Sequence, residues 1–210
     1  MANQIMNKSL ENNRQNYDLK GTLMIPESEG PFNENEIKQL EQICKDVDKE
    51  FVKVGDAGEP NHVHVGRFMT DIKKPEIVNK KYSLPLIKIL NQDKIIDYIK
   101  KSIGVKEKLY LRRIQFNQID ENCFVGYHLD IDSNPDYLVA CVIQFGSNFD
   151  GGIYRVYKSK EKFYDYIPSY GSLIISDCRL PHEVTNVTKG NRKSLVFFLS
   201  KENGLNKRNT

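Results

Sequence analysis

A histidine and an aspartate lie two residues apart in the segment "GYHLDIDSNPDY" at residues 126–137. On a β-strand, His128 and Asp130 would project from the same face, because side chains i and i+2 share one face of a strand. An imidazole nitrogen and a carboxylate oxygen side by side are two ligands of a chelate. The same pair also fits an ordinary hydrogen bond at a strand end, so a metal site requires a third ligand.

The chain contains four histidines, so the candidates for that third ligand are few. His182 follows a proline-led turn in "SLIISDCRLPHEV", which delivers it to the start of a predicted strand. Two histidines and one carboxylate on one face hold non-haem Fe(II) and leave coordination positions open. His62 and His64 have the same spacing in "NHVHVGRF", but no third ligand is near them, so we expect a solvated strand or loop there.

Arg192 lies ten residues beyond His182, at the head of the apolar segment "RKSLVFF". A planar, permanently charged guanidinium is suited to binding a carboxylate through two parallel hydrogen bonds. We therefore expect Arg192 to bind a carboxylate co-substrate, with a salt bridge to a surface acid as the alternative. Lys193 should point in the opposite direction from Arg192.

The elements that must position these residues are short strands. From Lys108 onward, β-rich runs alternate with segments containing Gly, Asn, Asp and Pro, which are typical of turns. We predict strands near residues 109–118, 123–130, 137–145, 152–157, 172–177, 183–188 and 193–199. Seven or more short strands in series indicate a sandwich, barrel or jelly roll rather than a parallel α/β sheet.

Two helical regions precede the strands. The segment at residues 31–51 has apolar residues at helical spacing, with Asn33 or Asn35 as the N-cap. The segment at residues 84–104 has the same kind of spacing and ends at Gly104, a residue that favours the left-handed C-cap. Such amphipathic helices need a sheet to cover.

Bulk composition limits the domain organisation and the setting. The 210 residues suit one domain: a flexible leader at 1–20, a single domain at 21–200 and a polar tail at 201–210. Within that domain we assign helical support to 21–107 and a jelly-roll core to 108–200. Lys and Arg number 31 against 28 Asp and Glu, with no long basic block, so nucleic acid is not an expected partner.

The expected location is the cytoplasm. The four cysteines are far apart with no CxxC pair, which suits reduced thiols. The first 20 residues contain no apolar segment of the signal-peptide type, and no apolar stretch approaches the roughly 18 residues of a membrane span. We expect a soluble protein with no membrane partner; its oligomeric state stays open.

The segment from Tyr127 to Ser200 resembles the catalytic core of the Fe(II)- and 2-oxoglutarate-dependent dioxygenases, most closely the prolyl hydroxylase branch. The matching motifs, in order, are "HLD", "DGGIYRVY", "GSLIISDCRLPHEV" and "GNRKSLVFF". The resemblance implies an α+β, mainly β fold: a double-stranded β-helix (a cupin-like jelly roll) with N-terminal helices packed on one sheet. It also implies an enzyme that uses Fe(II), with 2-oxoglutarate and O₂ as co-substrates.

The resemblance implies roles for individual residues. His128, Asp130 and His182 would bind the iron, and Arg192 would bind the distal carboxylate of 2-oxoglutarate. The further cofactor-binding residues implied near Arg192 are Ser194, Gln144, which replaces a frequent family tyrosine, and Gln118, which lies near the position of another. Rim aromatics that are candidates for substrate contact, or alternatively for packing, are Tyr127, Tyr137 and Tyr154.

The implied reaction is hydroxylation of an unactivated C–H bond, coupled to decarboxylation of 2-oxoglutarate to succinate. Because halogenating relatives have a small residue at the position of Asp130, its presence favours hydroxylation. A prolyl residue in a peptide or protein is the leading substrate, and a free amino acid or other small molecule is the alternative. A cupin-type metal protein with different chemistry and a catalytically silent interaction domain also remain open, and Arg192 has no necessary role in the cupin.

Overall fold

The computed structural model describes residues 2–208, with side chains from residue 9 onward; residue 1 and residues 209–210 of the predicted leader and tail lie outside this range. The helices are α1 (Ala2–Lys20), α2 (Glu34–Asp46), α3 (Lys80–Leu90) and α4 (Asp93–Ile103). The strands are β1 (Thr22–Ile25), β2 (Glu50–Val54), β3 (Pro60–Asp71), β4 (Pro75–Ile77), β5 (Tyr110–Ile119), β6 (Val125–His128), β7 (Val139–Phe145), β8 (Phe149–Gly151), β9 (Tyr154–Tyr157), β10 (Phe163–Tyr166), β11 (Leu173–Asp177), β12 (His182–Val184), β13 (Val187–Gly190) and β14 (Arg192–Ser200).

The strands form a nearly closed antiparallel barrel. Their order is β1-β11-β7-β14-β5-β3-β6-β12-β9-β10, with β2 and β4 paired to β3, and β13 paired separately to β8. The sheet turns its corner where Asn61 of β3 pairs with Val125 of β6. On the other side, the Tyr166 hydroxyl donates to the Thr22 carbonyl at 3.1 Å, which links the outermost strands β10 and β1. This is the predicted double-stranded β-helix, and the prediction is confirmed.

Alternation along the strands separates two apolar cores. On β14, Leu195 and Phe197 pack beneath the helices, whereas Val196 faces into the barrel. The helices contribute buried apolar residues such as Leu40 and Ile99 to the outer core. Each fully buried side chain of this size contributes about 1.5–3 kcal/mol. The outer core therefore holds the helices on one sheet and leaves the barrel interior for a site.

The two predicted helical regions are present, with one change. Asn33, rather than Asn35, caps α2: its side chain accepts from the Glu36 N–H and the Glu36 carboxylate accepts from the Asn33 N–H, both at 2.9 Å. The region at 84–104 is two helices, because Gln92 has an extended backbone and starts α4. Gly104 ends α4 in the left-handed conformation, as predicted.

The predicted loose leader is instead helix α1, which contacts α4. The Arg14 side chain donates to the Ile103 carbonyl, and the Asn13 amide donates to the Tyr98 hydroxyl at 3.1 Å. Leu10 is buried. Docking thus orders a segment whose polar composition shows no strong helical pattern. The tail also packs back onto the fold, since Asn206 donates to the Asp71 carbonyl at 2.7 Å.

Every predicted strand is present, with ends shifted by up to a few residues, and the predicted strand at 183–188 is divided into β12 and β13. The strands that the sequence pattern did not indicate are β1, β2, β3, β4, β8 and β10. Four of these, β1 to β4, lie in the region predicted as helical support and extend the sheet instead. Among the residues described, no helix is long and apolar enough to cross a membrane.

Candidate functional site

Register between two short strands brings the predicted ligands together. His128 ends β6 and His182 begins β12, and the two residues are direct antiparallel partners. Their ring centroids are 4.3 Å apart. Asp130 begins a short 3₁₀-helix just after β6 and is buried. We call His128, Asp130 and His182 the triad.

The distances within the triad suit a single ion. His128 Nε2 is 3.5 Å from Asp130 Oδ1, and His182 Nε2 is 3.7 Å from Asp130 Oδ2. One ligand atom from each residue lies within 4.8 Å of the other two. Ligand atoms that each lie about 2.0–2.2 Å from one ion are separated from one another by distances similar to those within the triad. Asp130 Oδ2 is buried and has no hydrogen-bond partner within residues 9–208, as expected for an atom that needs a cation.

Backbone carbonyls orient both imidazoles. His128 Nδ1 lies 2.8 Å from the Gly126 carbonyl, and His182 Nδ1 lies 3.1 Å from the Leu180 carbonyl. A carbonyl accepts only, so each Nδ1 carries the proton and each Nε2 is left to face Asp130. When Nε2 is deprotonated, each imidazole presents a neutral nitrogen donor to an ion.

Burial and charge act oppositely on the triad. Burial lowers the pKa of His128, but the hydrogen bond and charge of Asp130 outweigh it and raise that pKa to about 9. Burial raises the pKa of Asp130, yet His182 and His128 bring it below its ordinary value. Burial lowers the pKa of His182. A proton on His128 therefore competes with a cation for the Asp130 carboxylate.

Arg192 lies inside the barrel and lines the same cavity as the triad. It is 2% exposed, and its Nε and Nη2 have no hydrogen-bond partner among the described residues. Burial lowers its pKa to about 10. An unpaired buried charge is costly, so the arrangement suits a ligand that brings an anion. Across residues 9–208, no acid forms an ion pair with Arg192, which excludes the surface salt bridge.

The predicted co-substrate residues separate into two groups. Ser194 and Gln144 are direct partners on β14 and β7, and both are buried. Gln144 Nε2 donates to the Phe145 carbonyl at 2.8 Å, while its Oε1 has no partner among the side chains that the structure describes. Gln118 donates to Asp120 at 3.0 Å. Of the three predicted residues Ser194 lines the cavity, whereas Gln144 and Gln118 do not. Asn117, the neighbour of Gln118, lines the cavity, because the strand alternation places Asn117 inward beside Ser194.

The three candidate tyrosines have different positions. Tyr154 lines the cavity, with its ring centroid 5.3 Å from that of His182. Tyr137 is buried against Phe198, with stacked rings 4.6 Å apart, and lies outside that cavity. Tyr127 is 57% exposed and packs edge-on against Tyr157, also outside the cavity. One of the three candidates is therefore in contact with the site.

Sequence reasoning missed a set of polar residues on the cavity wall. These are Asp56, Glu59, Asn61, Arg67, Arg113, Gln115 and Asn117. The signal for three of them is the alternation in "LRRIQFNQI", where the polar residues 113, 115 and 117 share one face of a strand and the apolar Ile114 and Phe116 between them point to the other. The other four, in the turn between β2 and β3 and on β3 itself, had no such signal, because those strands were not predicted.

The second pair of histidines forms no metal cluster. His64 Nε2 lies 3.3 Å from Asp120 Oδ2 at the surface, and the His62 ring packs against Phe51 and Phe124. Within the described part of the chain, the triad is the one group of three His, Cys, Asp or Glu side chains close enough to share an ion.

Comparison with known proteins gives the family. A model of the 2OG-Fe(II) oxygenase superfamily matches residues 114–200. A crystal structure of an oxidoreductase of the 2OG-Fe(II) oxygenase family from Burkholderia pseudomallei is 30% identical, with a TM-score of 0.88 over 95% of this chain and 94% of that chain. No curated protein matches the sequence.

Two prolyl hydroxylase structures share the fold at lower identity. A Pseudomonas putida prolyl-4-hydroxylase is 16% identical, with a TM-score of 0.62 over 92% of this chain and 99% of that chain. A Trichoplax adhaerens prolyl hydroxylase, in complex with a hypoxia inducible factor peptide fragment, is 13% identical, with a TM-score of 0.66 over 94% and 91%. The match to the Burkholderia protein over nearly both full lengths goes beyond shared fold: the chain belongs to the 2OG-Fe(II) oxygenase family and is an enzyme that uses Fe(II), 2-oxoglutarate and O₂.

Proposed function

We propose that this enzyme is a hydroxylase in which the triad binds Fe(II) and Arg192 binds the distal carboxylate of 2-oxoglutarate. The observation that carries the proposal is that an orphaned carboxylate oxygen, Asp130 Oδ2, and an unpaired buried guanidinium, Arg192, line one cavity. A cation satisfies the first and an anion satisfies the second. When bound, Fe(II) with 2-oxoglutarate and O₂ supplies C–H hydroxylation coupled to formation of succinate and CO₂.

The residues around Arg192 hold the co-substrate in a fixed position. Ser194 lies two residues after Arg192 on β14, and Asn117 pairs with Ser194 from β5. Both side chains line the cavity and offer donors to a carboxylate. Gln144, across from Ser194, takes the place of a family tyrosine and can donate through its amide. Because these side chains project from paired strands rather than loops, they bind without a large entropic cost of ordering.

The apolar part of the cavity excludes water from the reacting atoms. Val125 and Val184 flank the histidines of the triad, and Val142 and Val196 cover the opposite wall. In such a low-dielectric site, the interactions of Asp130 and Arg192 with bound charges are stronger than in water. A pocket that excludes water also limits side reactions of 2-oxoglutarate when no substrate is bound.

The leading substrate is a prolyl residue in a peptide or protein, because the motifs "DGGIYRVY" and "PHEV" resemble those of the prolyl hydroxylase branch. A free amino acid or other small molecule is the second candidate. It is favoured by two cavity arginines, Arg67 and Arg113, which are suited to a free carboxylate. A cupin-type metal protein with other chemistry leaves the burial of Arg192 without a reason.

We assign the enzyme to the cytoplasm. Its four cysteines are free, and Cys44, Cys141 and Cys178 are buried in apolar surroundings, which suits a reducing compartment. Burial raises the pKa of the Cys141 thiol, so that thiol is unreactive in the folded chain.

Formation of succinate tests the proposed function without knowledge of the substrate. We expect slow succinate production that requires both Fe(II) and 2-oxoglutarate, and that is lost in His182→Ala. The control is His64→Ala, which removes a histidine outside the triad and should leave production unchanged. Equal production in His182→Ala, or none in the wild type under any metal loading, contradicts the proposal.

A further inference from the structure

Two arginines line the cavity wall outside the triad and Arg192. Arg113 projects inward from β5, and Arg67 projects inward from β3 beside Gln115. Arg113 is near enough to Asp130 for its charge to help lower the pKa of that carboxylate. Neither arginine has a role in the proposed binding of iron or 2-oxoglutarate.

Both arginines converge on one carboxylate of the chain itself. Arg113 Nη2 contacts Asp56 Oδ2, and Arg67 Nη1 lies 3.4 Å from the same oxygen. Arg67 Nε is held separately by Glu50 at 2.8 Å. Two guanidinium groups directed at one oxygen form a carboxylate site, and Asp56 demonstrates that a carboxylate fits it.

The Asp56 carboxylate can be displaced from the two arginines by another carboxylate. It lies in the turn at residues 55–59 between β2 and β3, and its side chain is 41% exposed. The turn is held by hydrogen bonds from Gly55 N to the Glu59 carbonyl and from Gly58 N to the Gly55 carbonyl, neither of which uses the Asp56 side chain. Partly exposed ion pairs of this kind contribute little to stability, because solvent screens them. The Asp56 side chain can therefore rotate into solvent without unfolding the turn.

Arg113, in contrast, is held firmly. Its Nε donates to Gln115 Oε1 at 3.0 Å, and Gln115 Nε2 donates to Asn117 Oδ1 at 2.8 Å. This ladder of side chains along one face of β5 fixes the guanidinium before any ligand arrives. A site that is ordered in advance loses less entropy when it binds.

We propose that the substrate is a small carboxylic acid whose carboxylate binds Arg113 and Arg67 in place of Asp56. The inference rests on the proposed function, and it favours the free amino acid or other small acid over a prolyl residue within a chain, whose carboxyl is an amide. The C–H bond to be oxidised then lies between this carboxylate and the triad. Until the substrate enters, the Asp56 carboxylate pairs with both arginines and so keeps other anions from binding them.

Matched acids and amides test the proposal. The probes are propionate and propionamide, cyclopentanecarboxylate and its amide, and L-proline and L-prolinamide, each titrated into protein loaded with Mn(II) and saturating 2-oxoglutarate. Binding is read by ligand-observed NMR. We expect at least one acid to bind about tenfold or more tightly than its amide, because only the acid brings a negative charge to the two guanidinium groups. Asp56→Asn should tighten binding of the acid and leave binding of the amide unchanged.

Variants of the arginines locate the binding site. Arg113→Gln and, separately, Arg67→Gln should lose the preference for the acid, and a thermal melt of each variant verifies that it folds. The control is Arg155→Gln, which breaks an Arg–Asp pair of 2.7 and 2.8 Å between Arg155 and Asp165 on the outer face and should keep the preference. The proposal is overturned if neither the wild type nor Asp56→Asn binds any acid more tightly than its amide. It is also overturned if the preference for the acid survives in both Arg113→Gln and Arg67→Gln.

The same samples separate this inference from the proposed function. Binding of 2-oxoglutarate with no preference for acids rejects the substrate class and leaves the hydroxylase assignment intact. Failure of 2-oxoglutarate to bind the Mn(II)-loaded protein rejects the proposed function itself.

Discussion

His128 and His182 are direct cross-strand partners on β6 and β12, with ring centroids 4.3 Å apart. A shift of one residue in this register would turn one of the two side chains to the opposite face. The metal site therefore depends on the pairing of two strands of four and three residues. That pairing is stabilised by the residues around it, which makes the site sensitive to changes outside the triad.

Asp130→Ala should lose metal affinity by about 100-fold or more, because it removes one of three ligands and leaves two histidines. Calorimetric titration with Mn(II) measures the effect. The control, Asp132→Ala, removes an exposed carboxylate two residues away and should bind Mn(II) as the wild type does. Similar affinity in the two variants would exclude Asp130 as a ligand.

Arg192→Met should stabilise the protein in the absence of 2-oxoglutarate, because it replaces an unpaired buried cation by an apolar side chain of similar length. We expect a gain of about 1–3 kcal/mol in the free energy of unfolding. The same variant should lose the rise in melting temperature that 2-oxoglutarate gives the metal-loaded wild type. A variant that is less stable than wild type but still stabilised by 2-oxoglutarate would contradict the role of Arg192.

Stability of the metal-free protein should depend on pH through His128. Burial lowers its pKa, but Asp130 raises it from 6.5 to about 9, so the protonated form stabilises the fold. This contribution is fully present below pH 6.5 and is lost as the pH rises through 9. The melting temperature of the wild type should therefore fall relative to that of His128→Gln over this window, by about 2–4 °C for each kcal/mol lost. Parallel melting curves across the window would reject the His128–Asp130 pairing.

Asn61→Ala should lower the affinity for metal although Asn61 is not one of the triad residues. The Asn61 side chain accepts from Gly126 N at 3.2 Å and donates to Glu59 at 2.9 Å, and the Gly126 carbonyl orients His128. Loss of such an orienting contact costs about 10–100-fold in metal affinity. Mn(II) titration measures the loss, with Asn148→Ala as a control in an exposed loop. Unchanged affinity in folded Asn61→Ala would show that the strand pairing alone orients His128.

The triad and Arg192 could be selected from the sequence by residue type, spacing and family resemblance, and the structure places them around one cavity. Their roles as ligands of iron and 2-oxoglutarate stay predictions. Gln118 shows the limit: on a strand, an error of one residue exchanges the faces, and Asn117 lines the cavity instead. Helix α1 and strand β3 were missed because tertiary packing orders them, and Pro60 and Gly66 within β3 are weak strand formers.

The most direct test of the account is the position of iron in a crystal grown with Fe(II) and 2-oxoglutarate without oxygen. Anomalous diffraction at the iron edge should give one strong peak about 2.0–2.2 Å from His128 Nε2, His182 Nε2 and an Asp130 oxygen. The distal carboxylate of 2-oxoglutarate should lie against Arg192. An iron peak away from the triad, or 2-oxoglutarate bound with Arg192 still unpaired, would contradict the account.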